Sequence, residues 1–179
     1  MAFKITKTET SIYPTQDSID HFLSGQGLSL ASITSIVDNF VCADKLYDGY
    51  GYQQSIANSL ENHLATELST KHNLQRAGLE YSDNLGECAD TALQKSDNHK
   101  RIYFELEFRP NVEKDLVKFH IGHTTGKLGL GILIVAIDRN SINPRYTTMP
   151  EYHKVKRLID EMKPAFPILL IGFDGQHID

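Results

Sequence analysis

Glu105 and Glu107 stand two residues apart in the stretch Ile102-Tyr103-Phe104-Glu105-Leu106-Glu107-Phe108. The stretch alternates with period two, the pattern of a β-strand that anchors one face in a core. Ile102, Phe104, Leu106 and Phe108 point one way, and Tyr103, Glu105, Glu107 and Arg109 point the other. Two carboxylates held side by side on a rigid strand are the oxygen donors that a divalent cation takes.

Asp90 supplies a third carboxylate. The segment Gly86 to Leu93 reads as another strand, and Ser96-Asp97-Asn98-His99 is turn chemistry. A hairpin about Asp97/Asn98 sets Asp90 opposite Glu105, Leu93 opposite Ile102 and Ala89 opposite Leu106. Opposed residues have Cβ atoms roughly 5 Å apart, and one Mg²⁺ with oxygens at about 2.1 Å can bridge them. Three carboxylates on one patch repel one another unless a cation sits among them or one is protonated. The pattern alone leaves a second reading open, the solvated polar face of an edge hairpin. In this register Cys88 falls opposite Glu107, where it either lines the site or is a buried thiol like Cys42; the two cysteines have no metal or redox spacing.

A helix is marked from Tyr52 to about Lys71 by the stripe Ile56, Leu60, Leu64 and Leu68. Glu67 and His63 fall within that stripe by angle, and Glu61 sits at its edge. Either glutamate is placed to join the acidic cluster from a neighbouring helix, or to be a solvated helix charge. His120 and His123, at i, i+3, are the one histidine pair with ligand-like spacing; a helix surface near a partner is the simpler reading.

The elements that must position these groups follow from pattern. Residues 1–25 are polar and Thr/Ser-rich, and part of them reads as a strand or as a loosely ordered arm. Leu28 to Val41 carries apolar residues at helical spacing. Tyr47-Asp48-Gly49-Tyr50-Gly51 reads as a connector, and Asn73 to Asn84 as polar connection. Pro110 ends the acidic strand, and Asn111 is a good N-cap for a helix from Val112 to about His123. Leu130 to Ile137 is a continuous apolar run, a strand covered on both faces. Asn140 to Pro150 is a loop, Glu151 to Met162 a helix, and Pro167 to Phe173 a last buried strand. That order predicts an α/β fold, a central mixed β-sheet flanked by helices on both faces, as one domain over residues 1–179.

Composition narrows the partners. The 179 residues carry a net charge of −5, which argues against a generally basic nucleic-acid coat but leaves room for a local basic groove. No apolar run is long enough to span a bilayer. The start, Met1-Ala2-Phe3-Lys4, lacks a signal peptide's pattern, so no membrane partner and a cytoplasmic location are expected.

Asp90 with Glu105-Leu106-Glu107, then a helix, then Gly131-Ile132-Leu133-Ile134-Val135, then Pro167-Ile168-Leu169-Leu170-Ile171-Gly172-Phe173, resembles the core of type II restriction endonucleases of the BamHI/BglII kind, with the BamHI branch the nearer. The resemblance covers about residues 86–175 and places the chain in the PD-(D/E)xK nuclease superfamily, with a restriction-endonuclease-like core. It implies that Asp90, Glu105 and the carbonyl of Leu106 hold one or two Mg²⁺ ions. Glu107 stands where most relatives have lysine, and is implied as general base or as orienter of the attacking water. Glu61 and Glu67 are both candidates for a helix glutamate at the site. Arg145, in Asn143-Pro144-Arg145-Tyr146-Thr147-Thr148, stands near an arginine position the family uses to read bases, with Thr147 and Thr148 beside it. Arg109 and Asn111 are second candidates for base contact, and Lys114 and Lys118 for phosphates.

The implied partners are double-stranded DNA, a second copy of the chain and a cognate DNA methyltransferase in a prokaryotic cytoplasm. The dimer contact is expected on the helices at 111–124 and 152–163, through Val117, His120, Ile121, Val155, Leu158 and Met162. Two other readings stay open: a superfamily nuclease acting on structured or damaged DNA, and a DNA-binding module without chemistry.

Overall fold

The computed structural model describes residues 2–43, 52–83, 85–96, 99–143 and 147–178. In chain order the elements are β1 (Ala2–Tyr13), α1 (Gln16–Gln26), α2 (Leu30–Asp38), β2 (Val41–Ala43), α3 (Tyr52–His72), β3 (Gln75–Arg76), β4 (Glu80–Ser82), β5 (Leu85–Cys88), β6 (Thr91–Gln94), β7 (Arg101–Leu106), α4 (Val112–Thr124), β8 (Leu128–Ala136), α5 (Arg139–Ile142), α6 (Tyr152–Met162) and β9 (Ile168–Ile178). Seven strands form one sheet in the order β2-β1-β9-β8-β7-β6-β3. Strands β7, β8 and β9 run parallel, and β6 and β1 flank them antiparallel. The sheet is mixed, as its element order predicts.

Helices cover both faces. On one face Ile19 and Leu23 of α1, Ile33 and Val37 of α2, and Leu60, Leu64 and Leu68 of α3 pack with Ile102, Phe104, Ile132 and Ile171. On the other, Leu116 and Phe119 of α4 and Val155 and Ile159 of α6 pack with Tyr103, Leu133, Val135 and Leu170. Every residue of β8 is buried, which is why that strand reads as an unbroken apolar run. Gly131 on β8 lies under the ring of Phe119, and a side chain there would strike it. The missing Cβ lets α4 sit down on the sheet beside β7.

The hairpin has the expected register: Leu93 faces Ile102, Ala92 faces Tyr103 and Thr91 faces Phe104. Several expectations need correction. Residues 86–93 do not form one strand. β5 pairs with β4 in a separate two-stranded sheet, Asp90 lies at a bend, and only from Thr91 does the chain join β7. Cys88 is therefore exposed and paired with Glu80, away from Glu107, and Cys42 is half-buried. The acidic face of β7 is not a solvated one, because α4 and β4 cover it, leaving Tyr103 and Glu105 buried. Of the two readings for residues 1–25, the strand holds for part of the segment and the loose arm does not, and α1 follows the strand. β1 pairs with β9 along the length of the sheet, and Phe3 and Ile5 enter the core. β9 continues through Gly172 and Gly175 to Ile178 because β1 supplies its partner groups. Asn73 to Asn84 includes the short strands β3 and β4. Asn111 does not cap α4 with its side chain; its carbonyl takes the N–H groups of Lys114 and Asp115.

Candidate active site

The end of β7 opens into a cavity of about 310 Å³ between α3 and α4. Four pieces of chain bring polar groups to it. Asn58 and Glu61 come from α3, Asp90 from the bend before β6, Glu105, Leu106 and Glu107 from β7 and the residue after it, and Asp115 and Lys118 from α4. Arg109 and Asn111, on the connection to α4, complete the lining and are exposed. The structure thus brings together Asp90, Glu105, Leu106, Glu107 and Glu61, with Arg109, Asn111 and Lys118 on the same cavity.

Local geometry explains the convergence. At the bend, Asp90 replaces a ladder partner: its Oδ2 accepts the N–H of Leu106 at 2.8 Å. That bond holds the carboxylate beside β7, two residues past Phe104, the last residue of β7 paired with β6. Glu107 lies beyond β7, yet its N–H donates to the carbonyl of Ile134 at 3.0 Å, so it keeps the alternation of the strand. Its carboxylate accepts the N–H of Arg109. On the helix side, Thr91 Oγ1 donates to Glu61 Oε1 at 2.5 Å, tying α3 to the hairpin.

Glu105 is 2 % exposed. Its Oε1 accepts from Tyr81 Oη at 2.7 Å and from Lys118 Nζ at 3.0 Å. Lys118 also donates to Asp115 Oδ1 at 2.9 Å.

The electrostatics follow from crowding. Burial, with the negative charges of Asp115 and Asp90, pushes the Glu105 carboxyl up to about 8. Burial also raises Glu107, helped by Asp115, against the hydrogen bond from Arg109. Desolvation raises Asp90 against the N–H of Leu106, and raises Glu61 against the hydroxyl of Thr91. Burial alone would lower Lys118; the carboxylates of Glu105 and Asp115 outweigh it and hold the ammonium charged. Tyr81, buried beside Glu105, stays a neutral donor.

The donors present fit a hard divalent cation. Asp90, Glu105 and Glu107 are carboxylates on one cavity whose ionised forms are held back by burial and mutual repulsion, which a cation among them relieves. Among the described residues, no three His, Cys, Asp or Glu side chains are drawn together at ligating distance; in this arrangement the cation between Glu105 and Asp115 is Lys118.

Other sequence candidates lie elsewhere. Glu67 does not line the cavity and pairs with Lys71 one turn on, which lowers its pKa, whereas Glu61 does line the cavity. Lys118, expected at phosphate, is ion-paired in the acidic cluster. Lys114 is exposed on α4, and Thr147 and Thr148 are exposed on a turn before α6; none of the three lines the cavity. Arg145, with Pro144 and Tyr146, lies outside the described residues, as do Asp97, Asn98 and the 47–51 connector. His120 and His123 set their rings against Phe166. On the expected dimer helices Val117 and Met162 are exposed, whereas Val155 packs against its own sheet. Sequence reasoning missed Tyr81 and Asp115. Tyr81 sits in a polar stretch with no periodic signal. Asp115 had one: it precedes Lys118 by three on a helix whose Leu116 and Phe119 face the core.

The profile of the family described as restriction endonuclease BglII/BglIII matches residues 20–173. The fold is similar to that in the crystal structure of restriction endonuclease BglII complexed with a DNA 16-mer, with a TM-score of 0.61 at 14% identity, covering 93% of this chain and 78% of that one. It is also similar to free BglII, with a TM-score of 0.51 at 14% identity, covering 97% and 81%. These matches carry the BglII name and none carries that of the BamHI branch, which the resemblance in sequence put nearer. No curated protein matches the chain.

Proposed function

The chain belongs to the restriction endonuclease BglII/BglIII family, and on that premise we propose that it is a type II endonuclease that hydrolyses one phosphodiester bond in each strand of a short palindromic DNA site with Mg²⁺. The observation that carries the reading is the cavity at the end of β7, where Asp90, Glu105 and Glu107 meet Glu61 of α3 and Asp115 and Lys118 of α4.

Asp90, Glu105 and the Leu106 carbonyl would hold the ion, with Glu61 as a further donor from α3. When bound, Mg²⁺ supplies positive charge against the developing charge on the phosphate and makes a water more acidic. The chain's own groups do the rest. Glu107 accepts a proton from the attacking water or turns its lone pair toward phosphorus; its raised pKa suits a group that must take up a proton near neutral pH. The Leu106 N–H holds Asp90 against β7 so that both carboxylates keep one geometry. Arg109 and Asn111, exposed where the cavity meets solvent, are placed to touch the duplex.

Two cuts in a palindrome call for a two-fold protein. Val117 and Met162, exposed apolar residues on α4 and α6, are the contacts proposed for a homodimer. We place the enzyme as a single nuclease domain in a prokaryotic cytoplasm, paired with a methyltransferase that protects the same site. Among the described residues, no helix is long and apolar enough to cross a membrane.

Incubation with phage DNA tests the reading. Discrete fragments in Mg²⁺ and none in EDTA are expected, and sequencing the fragment ends gives the site and the stagger. A smear, or uncut DNA in Mg²⁺, contradicts it.

A further inference from the structure

Two donors converge on one oxygen of Glu105. Tyr81 Oη reaches Oε1 at 2.7 Å and Lys118 Nζ reaches the same atom at 3.0 Å. They arrive from different elements, β4 and α4, on the face of β7 away from α3. Each donor is itself fixed. The Tyr81 ring is fully buried and stacks on Tyr103 with centroids 4.4 Å apart. The Tyr81 carbonyl accepts Thr125 Oγ1 at 2.7 Å, tying β4 to the end of α4. Lys118 is held by Asp115 Oδ1 at 2.9 Å, one turn back on its own helix.

A carboxylate can rotate about its last bond, and that torsion is soft. Two fixed donors on Oε1 remove the freedom and leave Oε2 as the oxygen for the cavity. Hydrogen bonds with an ionised partner are the strong ones, so the pair outweighs thermal rotation. We propose that Tyr81 and Lys118 are positioning residues that clamp Oε1 of Glu105 and so present its other oxygen to a divalent cation. The inference rests on the metal-dependent reading of this cavity. It gives Lys118 a role other than phosphate contact, and Tyr81 a role that packing alone does not require.

Conserving the ring while deleting the donor isolates the effect. Groups that orient a metal ligand typically contribute about 10–100-fold in metal affinity. Mn²⁺ binding to the full chain, measured without DNA by the loss of the free-ion electron paramagnetic resonance signal, reads that affinity directly. Tyr81→Phe is expected to weaken Mn²⁺ binding by about 10-fold or more, with the unfolding midpoint in urea recorded on the same sample. Lys118→Met is the second variant, and it separates two physical roles. A clamp predicts weaker Mn²⁺ binding, because Glu105 is released. A purely Coulombic role predicts tighter binding, because a positive charge beside the ion has gone. Weaker binding in both folded variants supports the clamp. Wild-type affinity in Tyr81→Phe, or tighter binding in Lys118→Met, overturns it while leaving the nuclease reading intact. Wild-type protein that takes up no Mn²⁺ overturns the metal reading and the clamp together. Should Tyr81→Phe not fold, Lys118→Met decides alone.

Discussion

Replacing Glu105 by glutamine should make the metal-free protein more stable in alkali and less stable in acid. The cause is burial of a carboxylate that its surroundings do not want charged. Glu105 is 2 % exposed and is crowded by Asp115 and Asp90, which together push its carboxyl from an ordinary 4.5 to about 8. In the folded protein the proton stays on through that interval; in the unfolded chain it leaves near pH 4.5. The native state therefore binds more protons across the window, and stability falls as pH rises from about 4.5 to about 8, then levels off. A rise of that size corresponds to roughly 5 kcal/mol at pH 9. Glutamine removes this cost. It also puts an amide with two N–H donors where the protonated carboxyl has one, and a buried donor left without an acceptor is a loss of about 1–3 kcal/mol at every pH. The difference leaves Glu105→Gln more stable by roughly 2–4 kcal/mol at pH 9. At pH 4.5 only the loss remains. Urea unfolding in EDTA at pH 4.5, 7 and 9 measures both curves. They should cross. Because Glu107 and Asp90 are present in both proteins, the difference reports Glu105 together with its coupling to Asp90. Parallel curves would refute the burial argument.

Three other outcomes are expected. Glu61→Gln should slow cleavage by about 10–100-fold, whereas Glu67→Gln should leave it unchanged, since Glu61 lines the cavity and Glu67 pairs with Lys71; rates under excess enzyme compare the two. Arg145→Ala should cost about 1–3 kcal/mol in discrimination of the proper site and little in binding to random DNA, as gel-shift competition reports; equal losses on both would assign Arg145 to the backbone. Val117→Glu should shift the sedimentation of a micromolar sample toward monomer, because Val117 is half exposed on α4. Identical profiles for the two proteins would remove α4 from the dimer contact.

The β7 hairpin was legible because its signals are local. Strict alternation set the two faces of residues 102–108, and apolar matching set Leu93 against Ile102, the register observed. α3 was legible for the same reason. What escaped was set by tertiary contact. Glu105 is buried because α4 and β4 close over the polar face of β7, and no feature of the strand announces a lid. The break at Asp90 depends on β5 pairing with β4 instead of β7, a competition between distant backbones. The first strand hid in a Thr-rich segment because its far half owes its place to the β9 backbone and not to apolar side chains. The acidic set Asp90, Glu105 and Glu107 was readable as chemistry, while Tyr81 and Asp115, which fix how that set is held, were visible only once the sheet had closed.

The central claim is that this cavity cuts DNA with a divalent cation. Its most direct test is cleavage by Asp90→Asn beside wild type, on DNA carrying the cut site, with Mg²⁺ for turnover and Ca²⁺ for binding without turnover. Wild type should cut both strands. Asp90→Asn should fold, bind the DNA and leave it whole. Full-rate cleavage by Asp90→Asn in Mg²⁺ would contradict the account.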